Sequence, residues 1–184
     1  MTARLALAAA LLLAGGTACA EVLGSSPSGF QVRHAFTIAA PPAAAWNAVA
    51  RPGEWWPKAH TWSGDASKLS LELVAGGCFC ERWSGGSAAH GRVLMVRERE
   101  LLRMDAPLGP LQEMGLDGLL TVTLEAAGEG TNASVTFRVR GDASQKLDQL
   151  APVVDAVVGE QWGNWKAWTE LSVAPRKPVA PDVD

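Results

Sequence analysis

Ala39-Ala40-Pro41-Pro42-Ala43-Ala44-Ala45-Trp46-Asn47-Ala48-Val49, then Glu54-Trp55-Trp56-Pro57, then Gly76-Gly77-Cys78-Phe79-Cys80-Glu81-Arg82-Trp83 are the segments whose reading decides the fold. Two consecutive prolines fix the backbone for a helix start, since a proline at the first helical position lacks only an N–H that would have no partner anyway. The helix predicted from Ala43 to Ala50 stops at Pro52-Gly53. Trp46 is a core anchor on it, and Trp55-Trp56-Pro57 marks a second short helix or turn. From Gly76 the period changes to two: Phe79, Glu81 and Trp83 share one face of a strand.

Upstream, Phe30, Val32, His34, Phe36 and Ile38 alternate with Gln31, Arg33, Ala35 and Thr37 as a half-buried strand does. His34 lies on its apolar face, where a lone histidine reads as a satisfied core residue. Glu21 to Ser28 reads as a loose leader. Downstream, short strands alternate with turn signals. Leu69, Leu71 and Leu73 form one; Ser84-Gly85-Gly86-Ser87 turns the chain; Gly91 to Arg99 and Leu101 to Ala106 follow. Pro107 to Asp117 is a loop with an apolar face of Leu108, Leu111 and Met114. Leu120, Val122 and Leu124 then pair with Val135, Phe137 and Val139 across Gly128-Glu129-Gly130. Successive antiparallel strands without helices between them make a meander.

Gln145 to Leu171 is the longest helical pattern, with Leu147, Leu150, Val154, Val157 or Val158, Gln161 or Trp162, Trp165 and Trp168 recurring at three- and four-residue steps. Pro152 fits only an early turn of it. The three tryptophans cannot share one face, because positions three apart drift by about 60° around the axis; one is left for solvent or a partner.

Met1 to Ala20 reads as an address. Arg4 is its only charge, Leu5 to Ala14 is apolar, and Ala18-Cys19-Ala20 suits signal-peptidase cleavage. The apolar run is too short for a membrane span, which needs about 20 residues. Gly16-Thr17-Ala18 is a weak context for lipid attachment at Cys19. The expectation is an exported protein, periplasmic or extracellular, with one domain over residues 29–173 and a Pro-rich disordered tail over 174–184. The formal net charge is −3 over the whole chain and one unit more negative without the leader, with Lys and Arg scattered. This points away from nucleic acid and anionic membranes.

Cys78 and Cys80 stand two apart. On a regular strand such residues are about 6.5 Å apart, whereas a disulfide needs Cβ atoms about 3.8 Å apart. Strand spacing thus favours two free thiols, at least one of them buried, although export favours a bridge and Gly76-Gly77 could bulge the strand to allow it. A metal site using both cysteines with His90 lacks a second ligand pair, so no metal is expected.

One strand, two short helices, about six antiparallel strands and a closing amphipathic helix resemble the helix-grip fold of the START-like superfamily, also called SRPBCC: an α+β architecture with a curved antiparallel sheet of about seven strands around a long C-terminal helix. The likeness is to the branch named for activators of the heat-shock-protein ATPase, through Ala40 to Trp46, Trp55-Trp56, Gly76 to Phe79 and Gln145 to Leu171. It implies a cavity between sheet and helix for lipids, polyketides or other apolar molecules, without a cofactor. An exported protein would meet no cytosolic chaperone, so the activator role does not carry over.

The sheet face of Phe36, Leu71, Phe79, Trp83, Met95, Met104, Val122 and Phe137 suits an adaptable apolar pocket. A filled core would have the same residues. The expected ligand-binding set is Trp55, Trp56, His60, Trp62, Phe79, Glu81, Trp83, Met95, Met104, Phe137, Val158 and Trp162, for a small apolar or amphipathic ligand. Catalysis would need two of His60, Asp65, Glu81, His90 and Arg97 to converge. Glu81 stands out because an inward carboxylate must find a partner, for which Arg97 or His60 is available. Binding is therefore favoured over a cyclase/aromatase-like enzyme using Glu81 with a histidine, and over an interaction module using exposed tryptophans. No residue is assigned as catalytic, and the sequence carries no mark of oligomeric state.

Overall fold

A computed structural model describes residues 19–174. The expected leader and tail fall outside this range apart from Cys19, Ala20 and Ala174. Eight strands form one antiparallel sheet: β1 Cys19–Ser26, β2 Gly29–Ile38, β3 Leu69–Leu71, β4 Cys78–Trp83, β5 Gly86–Arg97, β6 Leu101–Asp105, β7 Asp117–Ala127 and β8 Gly130–Arg140. Their order is β1-β2-β8-β7-β6-β5-β4-β3. Helix α1 spans Pro42–Val49 and helix α2 spans Leu147–Val173. The architecture is the α+β helix grip that the element order implies.

Glu21 to Ser28 is not a loose leader. Most of it belongs to β1, which pairs with the outer edge of β2 from Cys19↔Ala35 to Ser26↔Gly29 and brings the strand number to eight. The edge of an alternating strand leaves backbone N–H and C=O groups to satisfy, and this short polar segment does so. Cleavage after Ala20 would keep Glu21–Ser26 of that strand.

Pro41 precedes α1 in extended conformation and Pro42 occupies its first turn, as the double proline dictates. Ala45, Trp46, Ala48 and Val49 are the buried face. The second expected helix is instead a series of 3-10 turns over 52–54, 58–60 and 66–68. The β7–β8 hairpin pairs Leu120 with Phe137, Val122 with Val135 and Leu124 with Ala133, so period-two burial runs along both strands. Pro152 sits in the second turn of α2 with its ring exposed. The helix packs on β2, β1, β8 and α1. It therefore grips one half of the sheet, and loops cover the β4 to β7 half.

Two bulges set the phase of β5. Phe79 faces Gly91 while Cys80 faces Ala89, so His90 is the extra residue and points inward beside Gly91. Between Val93 and Met95 the register shifts again. Met95 is consequently 41% exposed rather than on the cavity face. Cys78 and Cys80 are joined by a disulfide, against the expectation of free thiols. Their Cα atoms stand 5.3 Å apart, closer than the about 6.5 Å of a regular strand. The peptide containing Cys78–Cys80 should take up two alkyl groups only after reduction, as mass spectrometry of the alkylated, digested protein will read. Labelling of both sulfurs without reductant would contradict the bridge.

Candidate functional site: a cavity under the long helix

Aromatic rings form a continuous chain through the core. Phe36 meets Trp165 edge-on at 6.4 Å between centroids, Trp165 meets Trp162 at 5.4 Å, Trp162 meets Trp55 at 5.3 Å and Trp55 meets Trp56 at 5.4 Å. Trp56 then meets Phe79 at 5.1 Å, and Phe79 meets His90 at 5.0 Å. Tilted and edge-on pairs at these separations are the favoured geometries, each adding about 0.5–1.5 kcal/mol beyond burial. Indole N–H groups tie the chain to the backbone: Trp55 donates to the Ala48 carbonyl at 2.8 Å, Trp56 to that of His60 at 3.0 Å and Trp165 to that of Ala45 at 3.1 Å.

Beside this aromatic wall lies a cavity of about 470 Å³. Its walls are Trp56 and Ala59 to Trp62 on one loop, Leu108 to Leu111 and Met114 on another, His90 and Phe137 from the sheet, and Leu150, Val153, Val154, Val157, Val158 and Gln161 from the first half of α2. The size falls within the range of sites for small organic molecules. It exists because α2 covers the other half of the sheet, leaving two loops to close the gap.

Glu81 anchors one of those loops. It is 0% exposed. Its carboxylate accepts the Trp62 N–H at 2.9 Å, the Ser63 N–H at 2.6 Å and a bond from His90 Nε2 at 2.9 Å. Burial acts to raise its pKa, but hydrogen bonds from Ser63, from the Trp62 N–H and from His90 outweigh burial and hold it below the ordinary glutamate value. The group is thus an ionised carboxylate at neutral pH, and His90 Nε2 must be the donor to it. In the neutral ring, Nδ1 is then the acceptor.

Of the expected binding residues, Trp56, His60, Trp62, Phe137 and Val158 line the cavity. Trp55, Phe79, Met104 and Trp162 are buried in the core behind it. Glu81 acts through the loop and His90. Trp83 lies at the β4–β5 hairpin end against Gly86, and Met95 faces outward, so neither belongs to the site. Arg97 pairs with Glu100 on the surface and His60 with Glu160 at 3.2 Å, so neither is the partner of Glu81. The pairing of His90 was missed because one inserted residue reverses the face of everything after it; the Gly91 next to it was the available signal. Gln161, the 108–114 loop, two further residues of the 56–62 loop and four aliphatic residues of α2 also line it from outside the expected set.

His34 is a buried residue between sheet and helix, with Nε2 2.8 Å from Asp155 Oδ1 of α2 but without hydrogen-bond alignment, so it is a core residue as its position implied but not a satisfied one. Trp168 is half-buried, with the Arg51 guanidinium 5.6 Å from its ring centroid, so it is not a bare partner-facing surface. Among the described residues, no group of three or more His, Cys, Asp or Glu side chains is placed to hold a metal ion, and no helix is long and apolar enough to cross a membrane.

A sheet gripping a long helix over an apolar cavity defines a ligand-binding helix-grip domain. The family described as polyketide cyclase / dehydrase and lipid transport matches residues 29–170, and the chain belongs to that family. No curated protein matches it. Among solved structures, it is similar to a protein from Rhizobium leguminosarum, with TM-score 0.57 and 18% identity over 84% of this chain and 99% of that one. It is similar also to the Aha1 dimer from Colwellia psychrerythraea, with TM-score 0.55 and 16% identity over 78% of this chain and 98% of that one. A norcoclaurine synthase point mutant from Thalictrum flavum, in complex with a transition-state analogue, gives TM-score 0.54 and 11% identity over 79% and 97%. At these identities the likeness is one of fold.

Proposed function

We propose that this protein is an exported carrier of a small apolar or amphipathic molecule, held between the first half of α2, the 56–62 loop and the 108–114 loop. The supporting observation is the cavity of about 470 Å³ with an almost wholly apolar wall. Such a wall favours burial of apolar ligand surface by about 25 cal/mol per Å². Val157 is half-buried in that wall, so Val157→Trp fills the space from the helix side. The substitution should weaken binding of the neutral dye Nile red by about tenfold or more while leaving the circular dichroism unchanged. Equal dye affinity in the two proteins would count against the cavity as the binding site.

Export rests on the Met1–Ala20 leader, and the Cys78–Cys80 bridge suits an oxidising compartment. N-terminal sequencing of protein recovered from the producing cell should begin at Glu21; an intact Met1 would contradict this. Within the superfamily, the Ala40–Trp46, Trp55-Trp56 and Gly76–Phe79 motifs support a relation to the branch of heat-shock-ATPase activators, in sequence rather than in role.

A second reading, a cyclase/aromatase-like enzyme, is supported by the 2.9 Å contact of Glu81 with His90 at the cavity wall. A carboxylate that fixes an imidazole tautomer leaves the second ring nitrogen ready to take a proton. Loss of water from a poly-β-keto thioester incubated with the protein, absent with His90→Phe, would favour this reading.

A further inference from the structure

Building on the cavity reading, we infer that the site selects a neutral ligand whose apolar body ends in a hydroxyl, and that His90 and Gln161 read that hydroxyl. Both residues are 2% exposed and both line the cavity. Glu81 fixes His90 with Nε2 as donor, so Nδ1 carries a lone pair and asks for a hydrogen. Gln161 Oε1 is buried and has no hydrogen-bond partner. A buried amide oxygen left unpaired is costly, and such a group in a native fold calls for an explanation. A ligand atom supplies one.

The remaining lining narrows the choice. No Lys or Arg side chain contributes to the wall. Two lining histidines contact acidic groups: Glu81 behind His90, and Glu160 at 3.2 Å from His60. A carboxylate would meet a mostly apolar wall with no Lys or Arg in it to receive the charge. An ether or ketone has no hydrogen for Nδ1. A hydroxyl donates its hydrogen to Nδ1 and accepts one from the Gln161 NH2, which rotation about the terminal torsion, exchanging oxygen and nitrogen, turns toward it.

The test uses three matched probes, para-octylphenol, para-octylanisole and para-octylbenzoate, titrated into the full protein at mildly alkaline pH with tryptophan fluorescence as the readout. Trp56 and Trp62 line the cavity and report occupancy. The phenol should bind about two- to tenfold more tightly than the anisole, the worth of one net hydrogen bond, and the benzoate weakest of the three. The phenol-to-anisole ratio should fall toward one in Gln161→Leu, which keeps the side-chain shape, and in His90→Phe. Equal affinity of phenol and anisole for the wild type, a benzoate preference, or a ratio that survives both substitutions would overturn the inference while leaving the cavity reading standing. If none of the three binds, or if Val157→Trp changes none of their affinities, the cavity reading itself fails.

Discussion

Replacing Trp165 by alanine is expected to destabilise the fold by about 3–5 kcal/mol, the cost of removing a large buried aromatic side chain. Trp165 is fully buried on α2, packs edge-on against both Phe36 and Trp162, and donates its indole N–H to the Ala45 carbonyl of α1. It thus joins the long helix to the sheet, to α1 and to the aromatic chain. Against a total stability of about 5–15 kcal/mol for a domain, such a loss leaves a marginal or unfolded protein. Trp168→Ala, which removes a half-buried ring and one cation–π contact at 5.6 Å, should cost only about 1 kcal/mol. Urea unfolding midpoints of the two variants will rank them. Equal midpoints would mean that the aromatic chain does not hold the helix on the sheet.

Element order and facing were legible in the sequence wherever local period and turn chemistry agree. The double proline opened α1 where it had to, and β7 and β8 paired in the register their alternation requires. What escaped was set by non-local pairing. Nothing in Glu21 to Ser26 announces a strand until β2 presents an unpaired edge to it. A single residue inserted at His90 redirects the histidine to the carboxylate of Glu81, and a second register shift turns Met95 out to solvent. The same irregularity accompanies the Cys78–Cys80 bridge that regular strand spacing disfavours. Cavity and core draw on the same residue types, so composition could nominate Phe137 and Val158 without separating them from Met104 and Trp162. The separation comes from the placement of α2 over β1, β2 and β8, which leaves two loops to enclose the remaining face.

Glu81→Gln should cost about 2–4 kcal/mol and flatten the acid limb of the stability curve. The two carboxylate oxygens receive three donors: the Trp62 and Ser63 N–H groups and His90 Nε2. An amide has one acceptor oxygen, so its NH2 must face at least one backbone N–H, losing a charge-assisted bond and leaving a buried donor unpaired. The sign of the pH effect follows from the lowered pKa. The folded state holds the proton less tightly than the unfolded chain, whose glutamates titrate near 4.3. The stabilisation is therefore complete above that value and is lost as pH falls through it toward the folded pKa. Asp65, Asp142 and Glu170 are lowered as well, so the variant keeps a reduced slope rather than none. Stability measured by urea unfolding from neutral pH down to well below about 4.3 should thus show the wild type and Glu81→Gln converging as the pH falls. A difference that stays constant across the whole range would mean that the wild-type carboxylate is not the charged anchor of the cavity loop.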